Sequence, residues 1–485
     1  MDDVTDAAAR RDPVEVPGGP AREPVVERPG PTRGGFDGYF GLTARGTTVG
    51  REVRAGLTTF MVMSYILFLN PIILSNMFAG DAAAQEAFIP AASAATALVA
   101  GLLTIAMGLV ANVPLALAAG LGINSAVAFG LVLGQGLTPA GAMGVIVLEG
   151  LVVLLLVLVG LRQAVMDAVP LALKRAIGVG IGLFILFIGF VDAGMIINNP
   201  VETDPVPVVF VFPNTPDLGV FIAGLAITIV LFVMRIPAAL ILSIIITTIL
   251  ALLFGVQQLP DQFSVTPSFA TLGDFDVTNV WSLGAVAAVL TIFAFMLTDF
   301  FDTMGTATAI SEQAGLTDRE GRVPRIGRLL FIDSLGASAG GAAGISSNTS
   351  YIESAAGVAE GGRTGLTAVV VGVLFLIAIL LTPLATLVPF VATAPVLVVV
   401  GYMLATLIRE IDFADVETGL PALLTLILMP LTFNITIGIG AGFVTYVLIK
   451  VARGKWAAVH PLMWIVAIAF LVYFAQALIP GGIAA

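Results

Sequence analysis

The chain has 485 residues, of which 58% are hydrophobic and 11% are charged, and its 21 basic and 32 acidic side chains give a formal net charge of −11. Soluble domains carry about 25% charged residues, so this composition excludes a water-soluble enzyme and disorder over most of the chain. Nucleic-acid binding is excluded because no basic run is present to neutralise phosphates. With no Cys and one histidine, His460, disulfides, thiol nucleophiles and Cys- or His-rich metal centres are excluded as well. The sequence predicts a polytopic membrane protein.

The first 35 residues differ from the rest of the chain. They mix Asp, Glu and Arg with six prolines and have no hydrophobic period, which is typical of a disordered segment. They also lack the charged-then-apolar pattern of a signal peptide. We therefore expect residues 1–35 to form a disordered tail that stays in the cytoplasm.

Apolar stretches of about 17–25 residues recur from Gly56 onward, and stretches of this length cross a bilayer core as helices. We predict about fourteen transmembrane segments, near residues 56–78, 91–111, 114–133, 139–161, 174–191, 219–234, 237–257, 281–304, 328–343, 350–360, 364–385, 392–408, 418–434 and 436–452. A last apolar stretch, 461–479, is either a fifteenth crossing or a helix at the membrane interface.

The charges between these segments orient the chain. With the N-terminus in the cytoplasm, most basic loops fall inside, as the positive-inside rule requires; they hold Arg162, Lys174, Arg175, the stretch 319–328, Arg409, Arg453 and Lys455. Arg235 and Arg363 lie in short turns whose side the pattern leaves open. The loops assigned to the outside carry Asp and Glu without Lys or Arg, so we expect a multi-pass protein of the cell membrane.

Segments three and ten are poor helices. Segment three contains Gly120-Leu-Gly-Ile-Asn124, and segment ten, with its approach, runs from Gly340 through Ser346-Ser-Asn-Thr-Ser350 to Gly357. Each is third in its half of a seven-plus-seven arrangement, and matched broken segments in two halves indicate a transporter binding site at the midplane. Non-helical backbone at that depth must be buried or line a cavity.

Five carboxylates lie within the apolar segments, and each would cost several kcal/mol to bury as a charge. They are Glu149, Asp299, Asp302, Asp333 and Glu353. No Lys or Arg lies in the sequence at a comparable depth, so we expect protons, backbone N–H groups or a ligand to neutralise them. This pattern favours a proton-linked binding site over structural salt bridges.

Asp299 and Asp302 are the first candidates. A spacing of three puts both on one helix face, followed by Thr303, and two close carboxyl groups favour retention of one proton. The alternative is that one of the two acids only marks the solvated cytoplasmic end of helix eight.

Glu353 lies where segment ten turns from extended to helical, so the free N–H groups of a half-helix could stabilise its charge. The alternative is a capping box with Ser350. Asn124 lies at the matching break in segment three, where its amide could contact a heterocycle or cap a helix. Glu149 and Asp333 are second-tier candidates that we expect to hydrogen-bond the unwound backbone of a neighbouring segment.

Several separated motifs resemble the nucleobase–cation symporter 2 (xanthine/uracil permease) family, and within it the AzgA-like purine permeases. They are Ser64-Tyr-Ile-Leu-Phe-Leu-Asn-Pro71, Gly120-Leu-Gly-Ile-Asn124, Thr298-Asp-Phe-Phe-Asp-Thr-Met-Gly-Thr306, Tyr351-Ile-Glu-Ser-Ala-Ala-Gly357 and Gly361-Gly-Arg-Thr-Gly365. The resemblance runs from about Tyr39 to Pro461; the stretch 461–479 has no place in a count of fourteen.

The resemblance implies an all-α, UraA-like fold of fourteen segments in two inverted repeats of seven, with short strands in segments three and ten. It implies a core domain (56–161 and 281–385) packed against a gate domain (174–257 and 392–452), commonly as a homodimer. It carries substrate binding onto Asn124, Asp299 and Glu353, and proton coupling onto Asp299, Asp302 or Glu353, with Thr303 and Ser350 nearby.

We therefore expect a purine importer driven by proton symport, with a purine base, protons and the bilayer as partners and no cofactor, metal or catalytic residue. One alternative is the same fold carrying uracil, xanthine or a small anion, although uncompensated acids disfavour an anion. An intramembrane aspartyl protease would need its two acids on separate helices, whereas Asp299 and Asp302 share one. A passive channel would differ by having no proton coupling.

Overall fold

The computed structural model describes residues 35–161, 168–200, 207–259, 266–317, 323 and 325–475. The predicted tail therefore lies outside the described residues except for Gly35, and so do residues 476–479 of the last apolar stretch. The loop charges Arg162, Glu202, Asp204, Asp261 and 318–322 also lie outside them.

The described residues form seventeen α-helices. Their bounds are α1 Phe36–Phe40, α2 Val49–Met63, α3 Ile66–Ser75, α4 Ala82–Ala106, α5 Leu121–Ser125, α6 Pro139–Leu158, α7 Leu171–Asp192, α8 Pro216–Val233, α9 Ala239–Leu253, α10 Ala285–Gln313, α11 Ile326–Ala342, α12 Ser354–Ala359, α13 Gly365–Ala378, α14 Phe390–Ala405, α15 Val416–Thr432, α16 Ile435–Ala452 and α17 Pro461–Ala475. Wider π-turns extend α4 through Met107–Ala111 and α5 through Ala126–Gly134, and 3₁₀ turns extend α13 to Leu387 and α14 to Glu410.

Within these ranges, nine helical stretches are long and apolar enough to cross a membrane. The protein is therefore a multi-pass membrane protein, as predicted. Three predicted boundaries are wrong: the first segment begins at Val49 rather than at residue 56, the second begins at Ala82 rather than at residue 91, and the eighth continues to Gln313 rather than ending at residue 304. These boundaries are wrong because the helices extend past the apolar stretches into polar residues.

Short polar side chains begin many of the helices. The hydroxyls of Thr138 and Thr215 accept hydrogen bonds from backbone N–H groups in the first turns of α6 and α8, and in both helices proline occupies the first position. The side chains of Asp81 and Asn434 cap α4 and α16 in the same way. These caps satisfy N–H groups that have no partner inside the helix, which fixes where each helix begins.

Helix contacts in one half of the chain recur in the other half. Helix α7 packs against α15, and the corresponding contact in the other half is that of α14 with α8. In the same way, the contact of α6 with α11 corresponds to that of α13 with α4. Helices α7 and α14 also pack directly on each other. They meet at Gly182 and Gly401, where a Cβ on Gly401 would lie 2.5 Å from the Gly182 carbonyl oxygen.

Four short strands interrupt the helices. Strands β1 (Leu117–Ala119) and β4 (Asn348–Ser350) lie in the predicted broken segments three and ten, which confirms the expected strands. Strands β2 (Ile196–Asn198) and β3 (Val208–Phe210) form an antiparallel hairpin between α7 and α8 that the sequence analysis did not predict.

Helix α17 forms in the last apolar stretch. It packs against α16 and α10, burying Met463 and Phe470 while leaving Ile465 and Leu471 exposed. Because only one face is buried, α17 lies at the edge of the bundle. It takes no part in the contacts that recur between the two halves.

Candidate functional site at the strand crossing

The two broken segments meet through their strands. Strands β1 and β4 pair antiparallel, with Leu117 opposite Ser350 and Ala119 opposite Asn348, and all six residues are buried. The pairing continues on both sides, since Gly120 N donates to Ser347 O (2.9 Å) and Tyr351 N donates to Ala116 O (2.9 Å). Unwound backbone inside a membrane protein needs internal partners, and each strand supplies them to the other.

A threonine on α4 satisfies the outer edge of β1. The Thr104 hydroxyl accepts a hydrogen bond from Leu117 N at 2.9 Å and donates one to Leu117 O at 3.0 Å. On the other side, α11 approaches β4 through Gly340, where a Cβ would lie 2.0 Å from Ser346 O. Only a residue without a side chain fits there, so the crossing is clamped between α4 and α11.

Asp299 and Asp302 lie one turn apart on α10, between its start at Ala285 and its end at Gln313. Asp299 is buried, and its Oδ1 has no hydrogen-bond partner within the described chain. Asp302 is exposed and accepts a hydrogen bond from the Thr349 hydroxyl at 3.4 Å. Helix α10 continues for eleven residues beyond Asp302, so neither acid lies at the end of this helix, although Asp302 is exposed, as the alternative reading expected of one of the two.

Glu353 immediately precedes α12 and is half-buried. Its Oε1 accepts a hydrogen bond of 2.7 Å from the hydroxyl of Tyr65, which lies at the junction of α2 and α3. The side chain makes no capping hydrogen bond to α12, so the alternative of a capping box with Ser350 is wrong. The Tyr65 contact fixes one carboxylate oxygen of Glu353.

Asp333 ties three elements together. One of its oxygens accepts hydrogen bonds from Ser350 N (3.1 Å) and the Ser350 hydroxyl (2.9 Å), and the other accepts one from the Thr303 hydroxyl at 2.8 Å. The side chain thus joins α10 and α11 to strand β4. Its hydrogen bond from Ser350 N is the contact with unwound backbone that the sequence predicts for Asp333. Thr303 and Ser350 each use their hydroxyl on Asp333.

Asn124 and Glu149 are fully buried and unsatisfied within the described residues. Both polar atoms of the Asn124 amide and both oxygens of Glu149 lack a hydrogen-bond partner there. Asn124 lies on α5, which contacts α7 and α10, whereas Glu149 lies on α6. The backbone contact anticipated for Glu149 is not formed. Buried polar groups normally have partners, so these atoms are candidates for contact with a ligand, water or a proton.

The five carboxyl groups form one electrostatic cluster. Asp299 is close enough for its charge to interact with those of Glu149, Asp333 and Asp302, and Asp302 interacts in turn with Glu353. Among the ion pairs of the described chain, none involves these five groups. A nearby cation is Lys174 on α7, whose Nζ lies 5.2 Å from the centre of the Phe301 ring.

Sequence reasoning missed Glu52, a second organising carboxylate. This side chain is fully buried at the start of α2 and accepts hydrogen bonds from the loop between α12 and α13 and from the first turn of α13. The donors are Arg363 N (2.9 Å), Thr364 N (3.2 Å), the Thr364 hydroxyl (2.9 Å), Thr367 N (3.2 Å) and the Thr367 hydroxyl (2.6 Å). In the sequence, Glu52 resembles an ordinary solvated helix start, although the Gly361–Gly365 motif already singled out its partner loop.

No three or more His, Cys, Asp or Glu side chains of the described ranges are grouped so as to hold a metal ion. The arrangement instead offers hydrogen-bond acceptors from α10, α12 and α6, an amide from α5, and a strand crossing between two half-helices. These groups can bind a polar heterocycle and exchange protons.

The sequence of this chain is similar to those of known permeases. The Xan_ur_permease model, described as a permease family, matches residues 50–441. The guanine/hypoxanthine permease PbuG of Bacillus subtilis (strain 168) is 37% identical over 438 residues, which cover 90% of this chain and 98% of that protein. The adenine permease AdeP of Escherichia coli (strain K12) is 38% identical over 440 residues, covering 90% and 96%.

Two solved structures share the fold. The transmembrane domain of the cyanobacterial bicarbonate transporter BicA matches with a TM-score of 0.56 at 15% identity, covering 81% of this chain and 97% of that one. SLC26A9 matches with a TM-score of 0.58 at 12% identity, covering 84% and 66%. These transporters have a fold of two seven-segment repeats, and at such identities the likeness concerns the fold alone.

Proposed function

Since this chain belongs to the xanthine/uracil permease family, whose model spans residues 50–441, we propose that it imports purine nucleobases by proton symport. Permeases move solutes and are not enzymes. The cargo assignment is supported by the relatives named as guanine/hypoxanthine and adenine permeases, which align over about nine-tenths of this chain. Adenine, guanine and hypoxanthine are therefore the first substrates to consider.

The proposed architecture is fourteen segments in two inverted repeats, with α17 as an addition. The recurring contacts of α7, α14 and their neighbours support the repeat. The core domain comprises 56–161 and 281–385, and the gate domain comprises 174–257 and 392–452. The core then moves against the gate to alternate access. The N-terminus is assigned to the cytoplasm of a cell-membrane protein, and a homodimer is assigned from the family resemblance.

Asn124, Asp299 and Glu353 are the proposed substrate contacts. A purine edge presents both donors and acceptors, which an amide can match with either atom and a carboxylate can match by accepting from N–H groups. The Asn124 amide is buried and unpartnered within the described chain. Glu353 has one oxygen bound by Tyr65, so its other oxygen is the one assigned to the base.

Proton coupling is assigned to Asp299, Asp302 or Glu353. The observation that carries this proposal is that Asp299 is buried, has an unpartnered oxygen and is surrounded by other carboxyl groups rather than by a described ion-pair partner. Several like charges cannot all remain ionised in such a place. A proton taken up with the base removes the repulsion and makes import dependent on the proton gradient.

A small-anion cargo is the second candidate because the fold also occurs in bicarbonate and SLC26 transporters. An anion requires N–H groups or cations at its site, whereas this site presents acids, which favours a base with N–H donors. Uracil and xanthine also carry N–H donors, so they are distinguished from adenine, guanine and hypoxanthine by whether an excess of each suppresses uptake.

The test is uptake of radiolabelled hypoxanthine by cells that lack their own purine permeases and express this chain. Saturable uptake that excess adenine or guanine suppresses, and that excess uracil or bicarbonate leaves unchanged, is the expected result. Glu353→Gln should abolish uptake, whereas Glu86→Gln, at an exposed position, should not. No uptake of any purine, with the protein present in the membrane, would overturn the proposal.

A further inference from the structure

Glu149 is a buried carboxyl group that is not among the proposed substrate contacts. It is fully buried on α6, a helix that packs against both α10 and α11. Neither carboxyl oxygen has a hydrogen-bond partner in the described part of the chain. The charged and titratable groups that face it are Asp299 from α10 and Asp333 from α11, and both are acids.

Ser347 lies between two of these acids. It directly precedes β4, is fully buried, and has a hydroxyl without a partner among the described residues. This hydroxyl is close enough to interact with the carboxyl groups of both Glu149 and Asp299. Asp299 Oδ1 is likewise buried without a hydrogen-bond partner among the described residues. The Ser347 hydroxyl, both Glu149 oxygens and Asp299 Oδ1 are thus all buried without a hydrogen-bond partner in the described chain, which indicates a missing ligand.

Asp333 provides the internal comparison. It is as deeply buried as Glu149, but three hydrogen bonds from Ser350 and Thr303 support its charge. Glu149 and Asp299 have only the shared Ser347 hydroxyl beside them, and two such groups side by side cannot both be ionised. One bound proton converts an acceptor-only carboxylate into a hydrogen-bond donor. That single change satisfies the pair, with Ser347 able to donate to one acid and accept from the other.

We propose that Glu149 and Asp299, bridged by the Ser347 hydroxyl, form an internal proton-binding site that shares Asp299 with the substrate contacts and does not include Glu353. The proton binds reversibly to a carboxylate oxygen, so only an O–H bond forms on loading and breaks on release. This inference rests on the proposed function, because it names Glu149 as a carrier of the symported proton.

The strand crossing connects this site to the substrate. The carbonyl oxygen of Ser347 accepts the hydrogen bond from Gly120 N, and Gly120 caps the half-helix α5 that carries Asn124. Ser347 therefore contacts the proton site through its hydroxyl and the backbone that positions Asn124 through its carbonyl oxygen. Loading the proton site and forming the substrate site are linked through this contact.

The experiment uses purified protein in liposomes and separates exchange from accumulation. Exchange of labelled external for unlabelled internal hypoxanthine needs no net proton movement, whereas accumulation against a gradient does. For one coupled proton, a pH gradient of about one unit drives roughly tenfold accumulation. Glu149→Gln keeps the size of the side chain but cannot titrate. We expect its accumulation to fall to about onefold while its exchange falls much less.

Glu149→Asp keeps a titratable carboxyl group and should recover part of the accumulation. Asp333→Asn, which removes a satisfied structural acceptor, should reduce exchange and accumulation together. Full accumulation by Glu149→Gln would overturn the inference, and so would equal loss of both activities, which would make Glu149 structural. Wild-type accumulation that requires sodium rather than a pH gradient would assign the site to sodium instead. Failure of the wild type to exchange any purine would overturn the proposed function itself.

Discussion

At the scale of single residues, the contact between Tyr65 and Glu353 deserves the first test because it fixes the acid assigned to the substrate. The Tyr65 hydroxyl donates to Glu353 Oε1 at 2.7 Å, and a hydrogen bond to a charged group contributes about 1.5–3 kcal/mol. Tyr65→Phe frees the carboxyl group to adopt other rotamers. We expect the KM for the purine to rise roughly tenfold while the maximal uptake rate changes little.

Tyr402→Phe is the matched control, since Tyr402 is exposed on α14 and its hydroxyl has no assigned role. Concentration-dependent uptake at equal membrane levels separates the KM from the maximal rate. An unchanged KM for Tyr65→Phe, or a loss confined to the maximal rate, would show that Tyr65 does not position Glu353 for the base.

The sequence identifies candidate acids more readily than their partners. Asp299, Asp302 and Glu353 are recognisable because charges are rare in apolar segments. Tyr65 is 288 residues from Glu353 in the chain, so no local pattern links them, and Tyr65 looks like one more aromatic residue of a membrane helix. For the same reason the capping-box alternative for Glu353 could be rejected only when its real partner was seen.

At the scale of elements, Glu52 holds the start of α2 against the loop between α12 and α13. Glu52→Gln replaces one acceptor oxygen with an NH₂ group that faces N–H and O–H donors. Each buried donor left without an acceptor costs roughly 1–3 kcal/mol. We expect the apparent Tm of the purified protein in detergent to fall by several degrees.

Glu360→Gln is the control for this prediction. Glu360 pairs with Arg54 at 3.0 Å, but both side chains are largely exposed, and such surface pairs contribute about 0–1 kcal/mol. Its apparent Tm should match that of the wild type. Equal melting of both variants would contradict the assignment of Glu52 as the anchor of this loop.

Broken segments are predictable from sequence, whereas helix ends are less so. Gly and Ser interruptions predicted that segments three and ten are broken, and the family resemblance implied short strands there, which the structure contains at Leu117–Ala119 and Asn348–Ser350. The end of α10 was placed too early because the apolar stretch stops near residue 304. The helix continues because Thr306, Ala307 and Ile310 still bury one face. The hairpin β2–β3 has no comparable signal in its short strands.

At the scale of the whole molecule, the orientation in the membrane is testable because the chain contains no Cys. Single cysteines can be placed at Asn198, in the exposed hairpin, and at Ala458, exposed after α16. With basic loops inside, a membrane-impermeant maleimide should label Asn198→Cys in intact cells and Ala458→Cys only after permeabilisation. The reverse pattern would invert the proposed topology.

Proton symport is tested by following protons and purine together in one reconstituted system. Purified protein is reconstituted into liposomes containing a pH-sensitive dye, and hypoxanthine is added outside while its labelled form is counted inside. We expect hypoxanthine entry to acidify the interior, both signals to saturate at the same concentration, and Glu353→Gln to abolish both. Entry of hypoxanthine without acidification would contradict proton symport and make the protein a facilitator.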